Sequence, residues 1–169
     1  MKEAYPESRI RIIEDRKSLQ DLLGVLSRYE WIALDVETTL YDHRLCWVQI
    51  GVPGRTWLID ALRIQRLSVL KSILSTARPV KLIHYAPFER KVFRAIGIEI
   101  ESVIDTCTLS RKVRGRKIGR HNLQEVCARE LGVYMDKGEQ ASDWTRRPIT
   151  SSQRRYAALD AEVLLLIYE

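Results

Sequence analysis

The sequence is poor in cysteine and contains no long apolar run. Its three cysteines, Cys46, Cys107 and Cys127, have no C-x-x-C spacing, which argues against a disulfide framework and a cysteine zinc site and predicts reduced thiols in the core. No apolar run approaches the roughly 18 residues of a membrane span, and the charged first residues are unlike a signal peptide. Internal repeats, low-complexity tracts and linkers are also lacking. We therefore expect a cytoplasmic protein without a membrane partner.

Length and charge narrow the class further. The 169 residues fit one domain, and 46% hydrophobic and 30% charged residues are typical of a globular protein. Lysine and arginine (28) outnumber aspartate and glutamate (22), which gives a net charge of +6. An excess of positive charge favours a polyanionic partner such as nucleic acid. We expect a single domain over residues 1–169.

Hydrophobic periodicity predicts an α/β fold. Short apolar runs predict strands at 9–13, 31–37, 45–52, 56–60, 80–84 and 102–105. Helical spacing predicts helices at 18–26, 62–75, 87–96, 106–113, 122–131 and 151–168. Short connections between the second, third and fourth strands favour an antiparallel meander, and the later alternation of helix and strand favours parallel pairing. The prediction is a mixed sheet with helices on both faces.

Two carboxylates end the second predicted strand. Asp35 and Glu37 are spaced i and i+2, so they share a face, with Leu34 and Val36 on the opposite face. Two acids side by side at the end of a buried strand repel each other and resist desolvation. A bound cation would remove that cost, so this strand end is a candidate metal site.

A third carboxylate lies in the apolar stripe of the last predicted helix. Tyr156 and Asp160 are spaced i and i+4 and share a helix face, which continues through Val163 and Leu164. Charged residues seldom occupy such a stripe unless they are paired or bound to metal. From spacing alone, Asp160 is either a metal ligand or the partner of a nearby arginine.

Several segments together resemble one nuclease superfamily. They are LDVETT at 34–39, HYAPFE at 84–89, SDW at 142–144 and YAALD at 156–160, supported by RLCWVQIG at 44–51 and DTCTLSR at 105–111. In this order they are similar to the motifs of the DEDD 3′→5′ exonucleases, in particular the ribonuclease D branch with tyrosine in its third motif. The resemblance covers the chain from about Ile32 onward. It implies a ribonuclease H-like fold. It also implies hydrolysis of RNA or short oligonucleotides from the 3′ end, with release of nucleoside 5′-monophosphates. DNA is an alternative substrate that the resemblance leaves open.

The resemblance also assigns roles to single residues. It implies two divalent cations, Mg²⁺ or Mn²⁺, held by the carboxylates of Asp35, Glu37, Glu89 and Asp160. It also implies that Tyr156 orients the attacking water. Glu89 departs from the pattern, because the family normally has aspartate there. The alternative is that Glu89 is a solvated helix residue and that Asp105, or nothing, completes the site.

Substrate-binding residues are expected beside the motifs. Thr38 and His84 belong to the first two motifs, although a histidine at a strand end is as often only a hydrogen-bonded neighbour. Residues 111–120 carry six cations and no acid. They are either a solvated loop or a phosphate-binding segment for the 3′ end of RNA or single-stranded DNA, with Arg114, Arg116 and Lys117 as the expected contacts.

Two rival functions stay open at this stage. One is a catalytically inactive nucleic-acid-binding or scaffold domain of the same fold, with Glu89 as the sign of lost activity. The other is an endonuclease of the wider ribonuclease H-like group, which the tyrosine of the third motif argues against. The similarity to short members of the family also leaves open a homo-oligomer that holds substrate between copies.

Overall fold

A computed structural model describes residues 6–115, 119–136 and 138–169 of the chain. The described residues form a six-stranded sheet and six α-helices. The strands are β1 (Ile10–Ile13), β2 (Trp31–Thr38), β3 (Leu45–Val52), β4 (Arg55–Asp60), β5 (Val80–Ile83) and β6 (Val103–Asp105). The helices are α1 (Arg16–Leu26), α2 (Lys71–Leu74), α3 (Pro87–Ala95), α4 (Thr106–Arg114), α5 (Leu123–Leu131) and α6 (Ser151–Tyr168).

The sheet has the strand order β1-β4-β3-β2-β5-β6. β2, β3 and β4 pair antiparallel, whereas β5 pairs parallel with β2 and β6 pairs parallel with β5. β1 lies at the edge and pairs parallel with β4. The meander followed by parallel strands, predicted from connection lengths, is therefore confirmed.

Helices cover both faces of the sheet. Leu34 and Val36 of β2 belong to the core that contains α1, α2 and α3 residues such as Leu19. Ala33 belongs to a different cluster, which includes Ala161 of α6. Because successive strand residues point to opposite faces, Asp35 and Glu37 lie on the same side as Ala33, which is the α6 side. The prediction that Asp35 and Glu37 share one face of this strand, with Leu34 and Val36 on the other, is confirmed.

The helix predicted at 62–75 is wrong. A 3-10 helix occupies Leu67–Leu70, and α2 contains only four residues, Lys71–Leu74. The Asp60 carboxylate accepts hydrogen bonds from the backbone N–H groups of Leu62 (3.0 Å) and Arg63 (3.1 Å). This side chain holds the chain in a turn after β4, so the apolar residues that follow, such as Ile64, are buried without a continuous helix.

A capping box fixes the start of α6. The Thr150 hydroxyl accepts a hydrogen bond from the backbone N–H of Gln153, whose side chain in turn accepts one from the Thr150 backbone. Gln153 also donates to the Ser142 hydroxyl and the Asp143 carbonyl, which ties the preceding loop to the helix. Within the described ranges, no helix has both the length and the apolar character needed to cross a membrane.

Candidate metal centre and its cleft

Three carboxylates from two elements meet on the α6 side of the sheet. Asp35 and Glu37 come from the end of β2, and Asp160 comes from the middle of α6. One ligand oxygen of each lies within 4.8 Å of the others. The structure therefore brings together three of the four predicted metal ligands within the span of a bound cation.

Small residues allow α6 to approach the sheet closely enough for this meeting. A Cβ atom added at Gly51 of β3 would lie 3.4 Å from the Cβ atoms of both Ala161 and Ala33. These three residues form a thin layer between the helix and the two central strands. Larger side chains there would push α6 outward and carry Asp160 away from Asp35.

Glu89, the fourth predicted ligand, is buried in the same region. It lies in the first turn of α3, is 4% exposed, and lines a cavity of about 290 Å³ together with Asp35, Glu37 and Asp160. Its burial, and then the charge of Asp35, raises its pKa from 4.5 to about 9. The alternative of a solvated Glu89 is therefore wrong.

Asp105 has a different task. Its carboxylate accepts hydrogen bonds from the backbone N–H groups of Cys107 and Thr108, which caps α4, and from those of Tyr85 and Ala86 just before α3. A carboxylate that already accepts four N–H groups is satisfied by the protein. Asp105 thus holds the starts of two helices together.

The electrostatics of the cluster favour a bound cation. Burial raises the pKa of Asp35 to about 7, and burial with neighbouring acids raises the pKa values of Glu37 and Asp160 well above their usual range. The Glu89 Oε2 and Asp160 Oδ1 atoms are buried without a hydrogen-bond partner among the described residues. Hard, unpartnered carboxylate oxygens are the donors that divalent cations such as Mg²⁺ or Mn²⁺ prefer, so these residues fit a metal centre.

Tyr156 lies one helical turn before Asp160 and borders the same cavity. Burial, and then the charges of Asp160 and Glu37, raises the pKa of its hydroxyl. The phenol therefore keeps its proton and can donate a hydrogen bond. The Trp144 ring packs against it at 6.1 Å between ring centroids, and Trp144 is itself 2% exposed, which limits the positions of the tyrosine.

A larger cleft of about 620 Å³ opens from the carboxylates. It shares Asp35, Tyr156 and Asp160 with the smaller cavity and extends past Tyr85 to Arg111 and the segment 119–124. Gln140 borders both spaces. Tyr85 lies within the segment HYAPFE, but no sequence pattern singled out Tyr85 or Gln140 as a residue of this cleft.

The basic segment is only partly placed at this cleft. The Arg114 guanidinium forms two hydrogen bonds with the Glu130 carboxylate, at 3.1 and 2.6 Å, and borders a separate cavity. Arg116 and Lys117 lie outside the described residues. Arg111 and Arg120 line the cleft, and neither forms an ion pair within the described part of the chain.

Thr38 and His84 lie beside the carboxylates but differ in how many hydrogen bonds to the protein hold their side chains. Thr38 lines the smaller cavity and donates to the Thr39 carbonyl at 3.2 Å. His84 lines the larger cleft, yet Nδ1 is 2.8 Å from the Thr106 hydroxyl and Nε2 is 2.9 Å from the His121 carbonyl. Burial lowers the pKa of His84, and Nε2 is the donor in its bond to His121 because a carbonyl oxygen can only accept.

Comparisons with known proteins agree on one family. A family model described as 3′-5′ exonuclease matches residues 10–169. Ribonuclease D of a Shewanella species is 30% identical over 167 residues, which are 95% of this chain and 42% of that protein. The Escherichia coli RNase D structure is 31% identical with a TM-score of 0.84, over 94% of this chain and 43% of that one. Brucella melitensis NrnC with bound Mg²⁺ is 27% identical with a TM-score of 0.77, over 94% of this chain and 78% of that one. The chain spans less than half the length of the ribonuclease D proteins that it matches.

Proposed function

This chain belongs to the 3′–5′ exonuclease family, and we propose that it hydrolyses RNA or short oligonucleotides from the 3′ end and releases nucleoside 5′-monophosphates. The observation that carries the proposal is the meeting of Asp35, Glu37 and Asp160 within 4.8 Å in a cavity that all three line, beside an open cleft that Asp35 and Asp160 also line. Similarity to proteins named ribonuclease D supports RNA as the substrate. DNA stays an alternative substrate that the experiment below separates.

The proposed cofactors are two divalent cations, Mg²⁺ or Mn²⁺. Asp35, Glu37, Glu89 and Asp160 would hold them, and Mg²⁺ bound to the similar NrnC protein supports this choice of metal. Two such ions would lower the pKa of the attacking water and neutralise charge on the departing 3′ oxygen. Glu89 is one methylene longer than aspartate, but its burial beside the other carboxylates supports a ligand role and argues against an inactive domain.

Tyr156 is proposed to position the attacking water. Its hydroxyl keeps its proton because burial and neighbouring acids raise its pKa, so it orients the water by a hydrogen bond and is not the base. Thr38 borders the smaller cavity, which we assign to the terminal nucleotide. His84 shapes the larger cleft through its bonds to Thr106 and to the His121 carbonyl.

The remaining strand is proposed to follow the larger cleft as single-stranded nucleic acid. Arg111 and Arg120 line it with guanidinium groups that no described carboxylate pairs with, so they are better phosphate contacts than Arg114, which is held by Glu130 and borders a separate cavity. Arg116 and Lys117 remain proposed contacts of the same segment. Such contacts are blind to sequence and weaken with salt.

Three further proposals concern the domain, the location and the assembly of the chain. One exonuclease domain over residues 1–169 is supported by the family match over 10–169. A cytoplasmic location is supported by three buried cysteines that remain free thiols. Self-association stays open, and light scattering of the purified protein would measure it.

A labelled substrate tests the proposed activity. Protein with Mn²⁺ and 5′-labelled RNA should produce a descending ladder, which EDTA or a 3′-phosphate on the substrate blocks. Parallel reactions with DNA of the same sequence measure the preference between the two nucleic acids. Cleavage of a circular substrate would instead indicate an endonuclease, and no product from any substrate would indicate an inactive domain.

A further inference from the structure

Tyr85 presents an aromatic side chain to the cleft at an unusual backbone position. It is 54% exposed and lines the 620 Å³ cleft together with Asp35 and Arg111. Its φ of 68° lies in the left-handed region, which bulky residues other than glycine rarely adopt. The chain therefore holds a large, partly apolar side chain at the cleft in a costly conformation.

The backbone on both sides of Tyr85 is fixed by hydrogen bonds to half-buried groups. The Asp105 carboxylate accepts hydrogen bonds from the N–H groups of Tyr85 (3.1 Å) and Ala86 (3.2 Å) while it also caps α4. The preceding residue, His84, is held at both ring nitrogens. Tyr85 is therefore a rigid position between the start of α3, which carries Glu89, and the start of α4, which carries Arg111.

The Tyr85 ring is free of specific polar and aromatic contacts within the described residues. It makes no ring–ring or cation–π contact there, and its hydroxyl has no hydrogen-bond partner in those same ranges. A rigid, exposed aromatic ring beside unpaired guanidinium groups is the arrangement that binds single-stranded nucleic acid, because every base has a face that can stack.

We propose that Tyr85 is a stacking platform for a base of the single-stranded substrate, on the part of the strand that lies beyond the terminal nucleotide. Arg111 and Arg120 bind the phosphates next to that base. The inference rests on the proposed function, and it adds a specificity: the enzyme needs an unpaired base at this position and does not read which base it is. A base inside a duplex cannot stack there.

The test combines variants of Tyr85 with substrates that lack one base. Tyr85→Asn removes the ring, and asparagine tolerates a positive φ, whereas Tyr85→Phe keeps the ring and removes the hydroxyl. The substrates are single-stranded oligonucleotides, either intact or with one abasic residue at the second, third or fourth position from the 3′ end. Tyr29→Asn is the matched control, because Tyr29 lies before β2 at the opposite end of the strand from the carboxylates and is 37% exposed.

Binding is measured by fluorescence anisotropy in the Asp160→Asn background, so that substrate stays intact, and first-cleavage kcat/KM is measured in the active background. Tyr85→Asn should weaken both by roughly tenfold to hundredfold, the usual worth of one stacked base. Tyr85→Phe and Tyr29→Asn should remain near the unmodified protein. At one of the three positions, the abasic residue should weaken binding by the unmodified protein by the same tenfold to hundredfold. The same abasic residue should not weaken binding by Tyr85→Asn any further.

Two results would contradict the proposed stacking of a base on Tyr85. One is equal binding of intact and abasic substrates by the unmodified protein, and the other is loss of binding in Tyr85→Phe as large as in Tyr85→Asn, which would indicate a hydrogen bond from the hydroxyl. Far-ultraviolet circular dichroism and Mn²⁺ affinity should not change in Tyr85→Asn. Failure of the proposed function is a separate outcome, in which the unmodified protein releases no mononucleotide although it binds the oligonucleotide.

Discussion

Replacing Glu89 by glutamine should stabilise the metal-free protein and weaken its response to metal. The Glu89 carboxyl is 4% exposed and its pKa is raised from 4.5 to about 9 by burial and by Asp35. The folded protein therefore binds a proton that the unfolded chain has released, and stability falls as the pH rises from about 4.5 towards 9. Each pH unit in that window costs about 1.4 kcal/mol, so the change from pH 5 to pH 8 costs on the order of 4 kcal/mol.

Glu89→Gln removes this titration while it keeps the shape of the side chain. Asp35, Glu37 and Asp160 remain and retain their own share of the pH dependence, so the slope of unfolding free energy against pH should decrease by about one proton. At pH 8 in EDTA, the variant should be more stable by a few kcal/mol, or by about 2–4 °C in Tm for each kcal/mol. Mn²⁺ should raise the Tm of the unmodified protein more than that of the variant, because one ligand is lost.

Urea unfolding at pH 5, 6, 7 and 8, with EDTA and with Mn²⁺, measures both effects. Asp21→Asn is the matched control, because Asp21 lies on the exposed surface of α1 and forms no ion pair within the described residues. Glu89→Gln with an unchanged slope in EDTA, or with an undiminished gain from Mn²⁺, would refute the reasoning.

Three further predictions concern the attacking water, the fold and the phosphate contacts. Tyr156→Phe should reduce kcat by roughly 10²–10⁴-fold with unchanged Mn²⁺ affinity, because the hydroxyl orients water and binds no metal. Steady-state kinetics measure kcat and calorimetry measures the metal affinity, and a loss of metal affinity would contradict this role. Arg147→Ala should destabilise the fold by about 3–5 kcal/mol in urea unfolding, because the fully buried Asp60 loses its bidentate partner, at 2.5 and 2.8 Å; a loss below about 1 kcal/mol would show that the pair is dispensable. Arg111→Gln should lower the slope of log KM against log salt by about one, whereas Arg114→Gln should leave it unchanged because Arg114 is hydrogen-bonded to Glu130 and borders a separate cavity; equal slopes in both variants would contradict this assignment.

Local signals in the sequence predicted most of the fold. The bounds of β3 and α6 agree with the predicted ranges, because a short apolar run marks β3 and the Thr150 cap marks the start of α6 through residues that are close in sequence. The shared face of Asp35 and Glu37 follows from the two-residue period of a strand. Tyr156 and Asp160 share a helix face for the same kind of reason.

Contacts between residues that are far apart in the chain could not be predicted from the sequence. Arg114 was expected at the substrate, yet it pairs with Glu130 on the next helix. The turn after β4 depends on Asp60, which Arg147 joins from 87 residues away, so the helical spacing at 62–75 misled the prediction. The cleft wall that contains Tyr85 results from Asp105, which joins two helix starts, and no local pattern indicates it.

Calorimetric titration of Mn²⁺ into metal-free protein tests the metal centre most directly. Two binding events per chain are expected at pH 8, and they should weaken together as the pH is lowered from 8, because protons compete for carboxylates with raised pKa values. Asp35→Asn should abolish them, while Asp21→Asn, on the exposed surface of α1, should not. Absent binding in the unmodified protein, or equal binding in Asp35→Asn, would contradict the claim that these carboxylates hold catalytic cations.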